Sequence, residues 1–420
     1  MSLRALTPYV LGAIALLPVP AGAELQPPLP VPEAPPRDRP GRFRLGPFYL
    51  TPLLRLGNVG LDTNVFYTPE ARQTDVSVNG GPGLRVVLPI QENLRFVVDG
   101  GANYHYFART ESQRRLVYDV QSGLLWRGVR TDLALRGAYV ETFNRPALEI
   151  ERRVAQVETR GGGELRRRLF GRTRLVVGGE FSRLEVERGQ EYLGADLRTT
   201  LSRDLVSGYG GLEYSLTPKT RLELLGTLED YSYLFDSTRD TRHGLATFGI
   251  RTESTTFLSG YVVLGAERHE SANVAGREPI TFYGHVNVAW HLNPRLVVGG
   301  VYLRDLYQTA LVTPQGLPIG LREMVGANLQ LEFVRHVFLR LTGTRIDYVT
   351  QSPVRIETSR GEVIEGVQKE KVYEASAELT YQLKSRLRVG GTLVYSERQK
   401  SFTDLGVDGL LLGATVIFTP

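Results

Sequence analysis

The chain has 420 residues, with 50 Lys and Arg against 45 Asp and Glu, for a formal net charge of +5. The charges are spread along the chain, which excludes the clustered basic face of a nucleic-acid binder. No cysteine occurs, so disulfides, thiolate metal sites, cysteine nucleophiles and a lipidated cysteine are excluded as well.

The first segment, 1–23, reads as a Sec-type signal peptide. Arg4 is followed by an apolar run from Val10 to Leu17 and by Ala21-Gly22-Ala23, with cleavage expected after Ala23. That run is too short for a membrane helix, which needs about 20 apolar residues. Residues 24–43 carry Pro27, Pro28, Pro30, Pro32, Pro35, Pro36 and Pro40. Such a composition favours an extended polyproline leader in the periplasm.

Residues 44–420 are expected to form a single domain of strands. Apolar and polar residues alternate at a period of two, first over Leu94 to Tyr106, where Arg95, Asp99, Asn103 and His105 take the polar face. The pattern recurs over Val206 to Leu216 and over Leu222 to Leu228. It recurs over Ile280 to Leu292, where Phe282, Val286, Val288 and Trp290 oppose Thr281, Tyr283, His285, Asn287 and His291. Two further runs cover Tyr373 to Leu383 and Leu387 to Tyr395.

Short turns separate pairs of these strands, among them Gly128-Val129-Arg130, Phe170-Gly171-Arg172, Thr217-Pro218-Lys219 and Val334-Arg335-His336. Longer polar connections alternate with them: Arg109 to Arg114, Arg188 to Ala195, Ser271 to Glu278 and Thr350 to Lys371. Together they predict about eighteen antiparallel strands, with sixteen as the alternative, closed into one transmembrane barrel. The apolar face meets lipid, the polar face lines the interior, short turns are periplasmic and long loops external. Both termini are then expected in the periplasm. An exported β-sandwich or propeller is the rival, since it alternates with the same period.

Three places resist the pattern. Pro82 falls inside a strand, where it removes a ladder donor. Arg183 to Glu187 loses its phase, and Leu405 to Phe418 is apolar on both faces near its end.

The polar face supplies the candidate functional residues: Arg95, Asp99, Arg221, Glu223, Glu229, Arg386 and Arg388, interleaved by sign. Such groups either neutralise one another as cross-strand pairs or leave a slightly positive channel that favours anions. Tyr231, Tyr233, Tyr261 and Tyr283 share that face, where a ring can pack on a sugar or simply fill space. The six histidines form no local metal motif, and no strained nucleophile or phosphate loop appears. His243 and His269 fall near the external rim with Asp240 and Glu267 close in sequence. No metal, cofactor or catalytic role is assigned.

The segment Gly46-Pro-Phe-Tyr-Leu-Thr-Pro-Leu-Leu-Arg-Leu-Gly-Asn-Val-Gly-Leu-Asp-Thr-Asn-Val-Phe-Tyr67, with its Asp62-Thr63-Asn64-Val65-Phe66 motif, resembles the opening of outer-membrane barrels of the "putative beta-barrel porin 2" group. Leu212 to Leu224 and Asp236 to Asp240, with the two strands up to His269, are similar to the middle of that group. The resemblance implies an outer-membrane pore, in a family often encoded beside exopolysaccharide synthesis and export machinery. It carries over no catalytic or binding residue. Phe418 is followed by Thr419 and Pro420, a departure from outer-membrane proteins that end on an aromatic residue. The expected function is passage of a secreted polysaccharide, with a general diffusion porin for small solutes as the alternative. The expected partners are outer-membrane lipid, the polymer and periplasmic export machinery, with no nucleic acid.

Overall fold

The computed structural model describes residues 41–66, 72–146, 150, 152–192, 195–253, 257–271, 280–309, 319–350, 353–357, 363–384, 387–400 and 407–418. The signal peptide and nearly all of the proline-rich leader lie outside the described residues, as does Arg386.

Eighteen long strands make one closed antiparallel sheet, each paired with its neighbours in sequence. They are β1 (Phe48–Asp62), β2 (Asp75–Gln91), β3 (Leu94–Phe107), β4 (Arg115–Arg127), β5 (Thr131–Asn144), β6 (Val154–Phe170), β7 (Thr173–Val186), β8 (Arg203–Ser215) and β9 (Thr220–Tyr233). The second half comprises β10 (Thr241–Thr252), β11 (Leu258–Ser271), β12 (Thr281–Asn293), β13 (Leu296–Gln308), β14 (Ile319–Val334), β15 (Val337–Thr350), β16 (Lys369–Lys384), β17 (Leu387–Lys400) and β18 (Val407–Phe418). The seam closes where β1 pairs with β18, from Leu54↔Phe418 to Asp62↔Leu411. Closure leaves no open sheet edge, which is what a sheet in lipid requires. A short strand, Phe43–Leu45, folds back on the start of β1. A five-residue helix, α1 (Leu197–Leu201), lies between β7 and β8.

Five of the tight connections share a construction. A one-residue register shift precedes the turn at Pro89/Gln91, Arg168/Phe170, His291/Asn293, Glu332/Val334 and Gln382/Lys384. Such bulges add right-handed twist, which lets a very short turn join two strongly twisted strands. Gly171 supplies the left-handed conformation at one turn, φ 50°, while His336 adopts it at another with φ 71°.

The outward set is the one the alternation predicts. Leu224, Leu228, Phe248, Phe282, Trp290 and Leu379 are exposed on the outer face. Aromatic residues mark its two borders: Tyr104, Tyr118 and Tyr139 toward the loop end, and Phe96, Trp126, Tyr214, Trp290 and Tyr381 toward the turn end. Amphipathic rings at both borders of an apolar band match the two lipid-water boundaries.

Two of the three irregular places have physical explanations. Pro82 stays within β2, paired with Leu54 of β1, while the ladder to β3 lapses between Gly80↔Tyr104 and Gly83↔Gly101. The missing donor is thus accommodated at a local gap. Arg183 points outward at the loop end and holds Asp204 of β8 through two 2.7 Å bonds. Phase is lost there because the strand end has left the apolar band. The last strand pairs on both sides, with β17 and with β1.

Two expected outcomes test this description. Val286→Arg places a charge on the lipid face and lowers barrel stability by about 2 to 4 kcal/mol, whereas Asn287→Arg costs far less; urea unfolding in detergent or lipid measures both. Because the chain has no cysteine, single substitutions report topology cleanly. Glu365→Cys in the long connection between β15 and β16 reacts with an impermeant maleimide on intact cells, and Arg295→Cys in the β12–β13 turn reacts only after lysis.

Candidate functional site

The candidate site is the barrel interior. Antiparallel partners share a face, so the register traces which side chains meet there. On β2 and β3, Arg85 Nε donates to Asp99 at 2.6 Å. Arg95 lies near the turn end of the same face, opposite Leu125. Around the wall, Arg166 bonds Glu164 at 2.7 Å and Arg251 bonds Glu223 at 3.1 Å. Arg340 meets Glu378 at 3.5 Å. Arg221 turns to Glu253 in the adjoining turn, 2.5 Å away, and Arg388 lies opposite Gln382 at the turn end. Neutralisation by neighbouring opposite charges, one of the two sequence readings, describes this wall.

At the loop end the wall is reorganised. β12 pairs with β13 only up to Gly284↔Arg304, so the last residues of β13, Asp305 to Gln308, extend past that ladder. They lean across the interior. Leu306 N–H donates to Glu267 of β11 at 2.8 Å, and Gln308 Nε2 donates to Thr241 of β10 at 2.6 Å. Tyr233 of β9 donates its hydroxyl to Gln308 Oε1 at 2.6 Å, four strands away from β13. Arg239, between β9 and β10, reaches the Thr309 carbonyl at 2.5 Å. The outer face of the β13–β14 hairpin, with Leu306 and Ile319 buried, thereby lies against the inner wall of β9 to β11.

Of the two readings of the tyrosines, space filling is the one that burial fits for three of them. Tyr231, Tyr233 and Tyr283 lie on the interior face but are only 6 to 7% exposed. Tyr231 donates to Glu229 at 2.9 Å, and Glu229 itself is buried. These four residues are part of a packed interface and present no open surface for a sugar. Tyr261, partly exposed, bonds His285 at 2.8 Å and carries the Arg251 guanidinium 5.0 Å from its ring centroid.

Behind the hairpin, register brings together histidines that sequence spacing kept apart. His243 and His269 are direct cross-strand partners on β10 and β11, their rings stacked at 4.1 Å. His243 Nδ1 is 3.1 Å from Glu229 and its Nε2 is 3.3 Å from Glu267. Among the described residues, His243, Glu267 and His269 place ligand-type atoms within 4.8 Å of one another.

Other buried charges brace the same end. Arg322 holds Asp305 through Nε at 2.9 Å and Nη2 at 2.5 Å, with both side chains 2% exposed. Arg398 pairs with Glu370 at 2.8 Å and donates to the Tyr348 hydroxyl. A residue at the end of the β5–β6 connection also reaches across the mouth: Arg153 meets Asp62 on β1 at 3.2 Å. Ile150 from that connection packs with Val154, Val186, Leu197 and Leu201.

Sequence reasoning missed Gln308, Thr241, Asp305 and the inward hairpin. A signal was present in the adjacent charges Arg304-Asp305 and Arg322-Glu323. Consecutive charges put one on each face, which an apolar outer band does not allow, so both strand ends had to leave that band.

The family model described as "Putative beta-barrel porin 2" matches residues 39–418. The fold is similar to the outer membrane protein opdK from Pseudomonas aeruginosa, with 13% identity, 88% of this chain and 98% of that chain covered and a TM-score of 0.48. It is also similar to the ferric enterobactin receptor PfeA from Pseudomonas aeruginosa, with 11% identity, 85% and 69% coverage and a TM-score of 0.47. A third is the siderophore receptor PirA from Acinetobacter baumannii, with 10% identity, 82% and 68% coverage and a TM-score of 0.46. Comparison with curated proteins gives no match.

The buried Asp305–Arg322 pair makes a sharp expectation. Arg322→Met strands a carboxylate and lowers stability by about 3 to 5 kcal/mol, while the double variant Asp305→Leu with Arg322→Met recovers most of that loss. Thermal unfolding of the purified barrel, followed by heat-modified gel migration, measures it.

Proposed function

The chain belongs to the Putative beta-barrel porin 2 family and is a barrel of the Gram-negative outer membrane, and from this premise we propose that its interior passes a secreted polysaccharide out of the cell. One observation carries the reading: charges on the inner wall neutralise one another locally and leave uncharged hydrogen-bonding groups between them. Asn328, Thr342 and Ser376 lie in consecutive register on β14, β15 and β16, with Thr342 and Ser376 hydroxyls 2.5 Å apart. A hydroxyl-rich chain exchanges weak hydrogen bonds with such a wall at many places. Conduction requires this, because tight binding at any one place halts a moving chain. The resemblance of the Asp62 to Phe66 motif to a family linked with exopolysaccharide export supports the same reading. Periplasmic export machinery would deliver the polymer to the turn end.

A general diffusion porin for small solutes is the second reading. The observation that favours it is narrowing at the loop end, by the β13–β14 hairpin and by Arg153 where it reaches Asp62.

Deleting the gene separates the two. The proposal expects polysaccharide to accumulate within the cell envelope, with uptake of small nutrients little changed and secretion restored by the wild-type gene. Normal secretion together with lost small-solute permeability contradicts it and favours the porin.

A further inference from the structure

We propose that His243, Glu267 and His269 form a binding site for a divalent first-row transition metal, zinc being the reference ion, set between the barrel wall and the inward hairpin. The inference does not depend on what passes through the barrel. The three side chains come from β10 and β11 and are 1 to 3% exposed. Two imidazoles and one carboxylate are a donor set used by zinc sites that keep a fourth position for water.

The spacing fits. Metal–nitrogen and metal–oxygen bonds of about 2.0 to 2.2 Å at tetrahedral angles put neighbouring ligand atoms about 3.3 Å apart. His243 Nε2 and Glu267 Oε2 are 3.3 Å apart.

The second, independent observation is His269. Both of its ring nitrogens are buried and have no hydrogen-bond partner, while Glu267 Oε2 has only the 3.3 Å approach of His243 Nε2. An unpartnered buried polar atom costs about 1 to 3 kcal/mol, so native interiors rarely keep several together. A cation between the rings and the carboxylate satisfies a nitrogen of His269, His243 Nε2 and Glu267 Oε2 at once.

The surroundings complete the arrangement. His243 Nδ1 faces Glu229 at 3.1 Å, and Glu229 accepts from Tyr231 at 2.9 Å. A carboxylate on the far nitrogen of a ligating histidine fixes its tautomer and raises its basicity. Glu267 Oε1 meanwhile holds the Leu306 N–H, so Glu267 would bind the metal with one oxygen and the hairpin with the other. Nitrogen donors favour zinc, nickel, cobalt or copper over magnesium and calcium, which prefer all-oxygen sites.

The test uses the untagged full-length barrel, purified in detergent and stripped with chelator. Titration with zinc chloride should show one equivalent bound and a raised melting temperature, with no such effect from magnesium or calcium. His269→Ala should weaken zinc at least about tenfold, in line with the sensitivity of metal sites to their supporting groups. His291→Ala, which alters a histidine bonded to Ser259 at the other end of the barrel, should leave binding intact. Zinc-edge X-ray absorption of the wild-type protein locates the ion even if His269→Ala fails to fold, by showing two imidazoles in the first shell. A folded wild-type barrel that takes up no zinc, an all-oxygen first shell, or undiminished binding in folded His269→Ala overturns the proposal.

Discussion

The whole structure depends on satisfying backbone hydrogen bonds where no water is available. In a bilayer each unpaired N–H or C=O costs several kcal/mol, so a sheet there has to close. Closure is achieved where Leu54–Asp62 of β1 meets Leu411–Phe418 of β18. Once the ladder is circular, every strand is forced to present one face to lipid and the other to the interior. The period of two in the sequence is the chemical expression of that constraint.

Closure also explains the interior. Side chains on the inner wall cannot leave, and arginines and carboxylates at adjacent positions reduce their desolvation cost by pairing, as in Arg85–Asp99 and Arg251–Glu223. At the loop end the constraint relaxes, because strands there extend beyond the lipid. β13 and β14 use that freedom to leave β12 and lie against β9 to β11, which buries Tyr231, Tyr233, Glu229, His243 and Glu267 between two layers. The same end therefore combines narrowing of the mouth with an unusually dense set of buried polar groups.

Much of the fold was legible in the sequence. Alternation over Ile280 to Leu292 and the contrast of short turns with long connections led to eighteen strands and to the correct lipid face for residues such as Phe282 and Trp290. Local pairing of interior charges was legible as one of two readings, because alternate-residue spacing places Arg and Glu on one face. The loop end was not legible. Alternation assigns a face relative to the strand, and a hairpin that folds into the barrel reverses what that face meets, as Gln308 shows. Cross-strand encounters such as His243 with His269 depend on register, which no local motif records.

The account's central claim is that the barrel is a pore whose interior charges are neutralised locally. Its most direct test is single-channel recording of the purified wild-type barrel in a planar bilayer, with the reversal potential measured across a potassium chloride gradient. The account predicts discrete open-channel currents with a reversal potential near zero, because neither cations nor anions are favoured by a charge-paired wall. Strong selectivity for either ion, or a bilayer that stays silent after demonstrated insertion of folded protein, would contradict it.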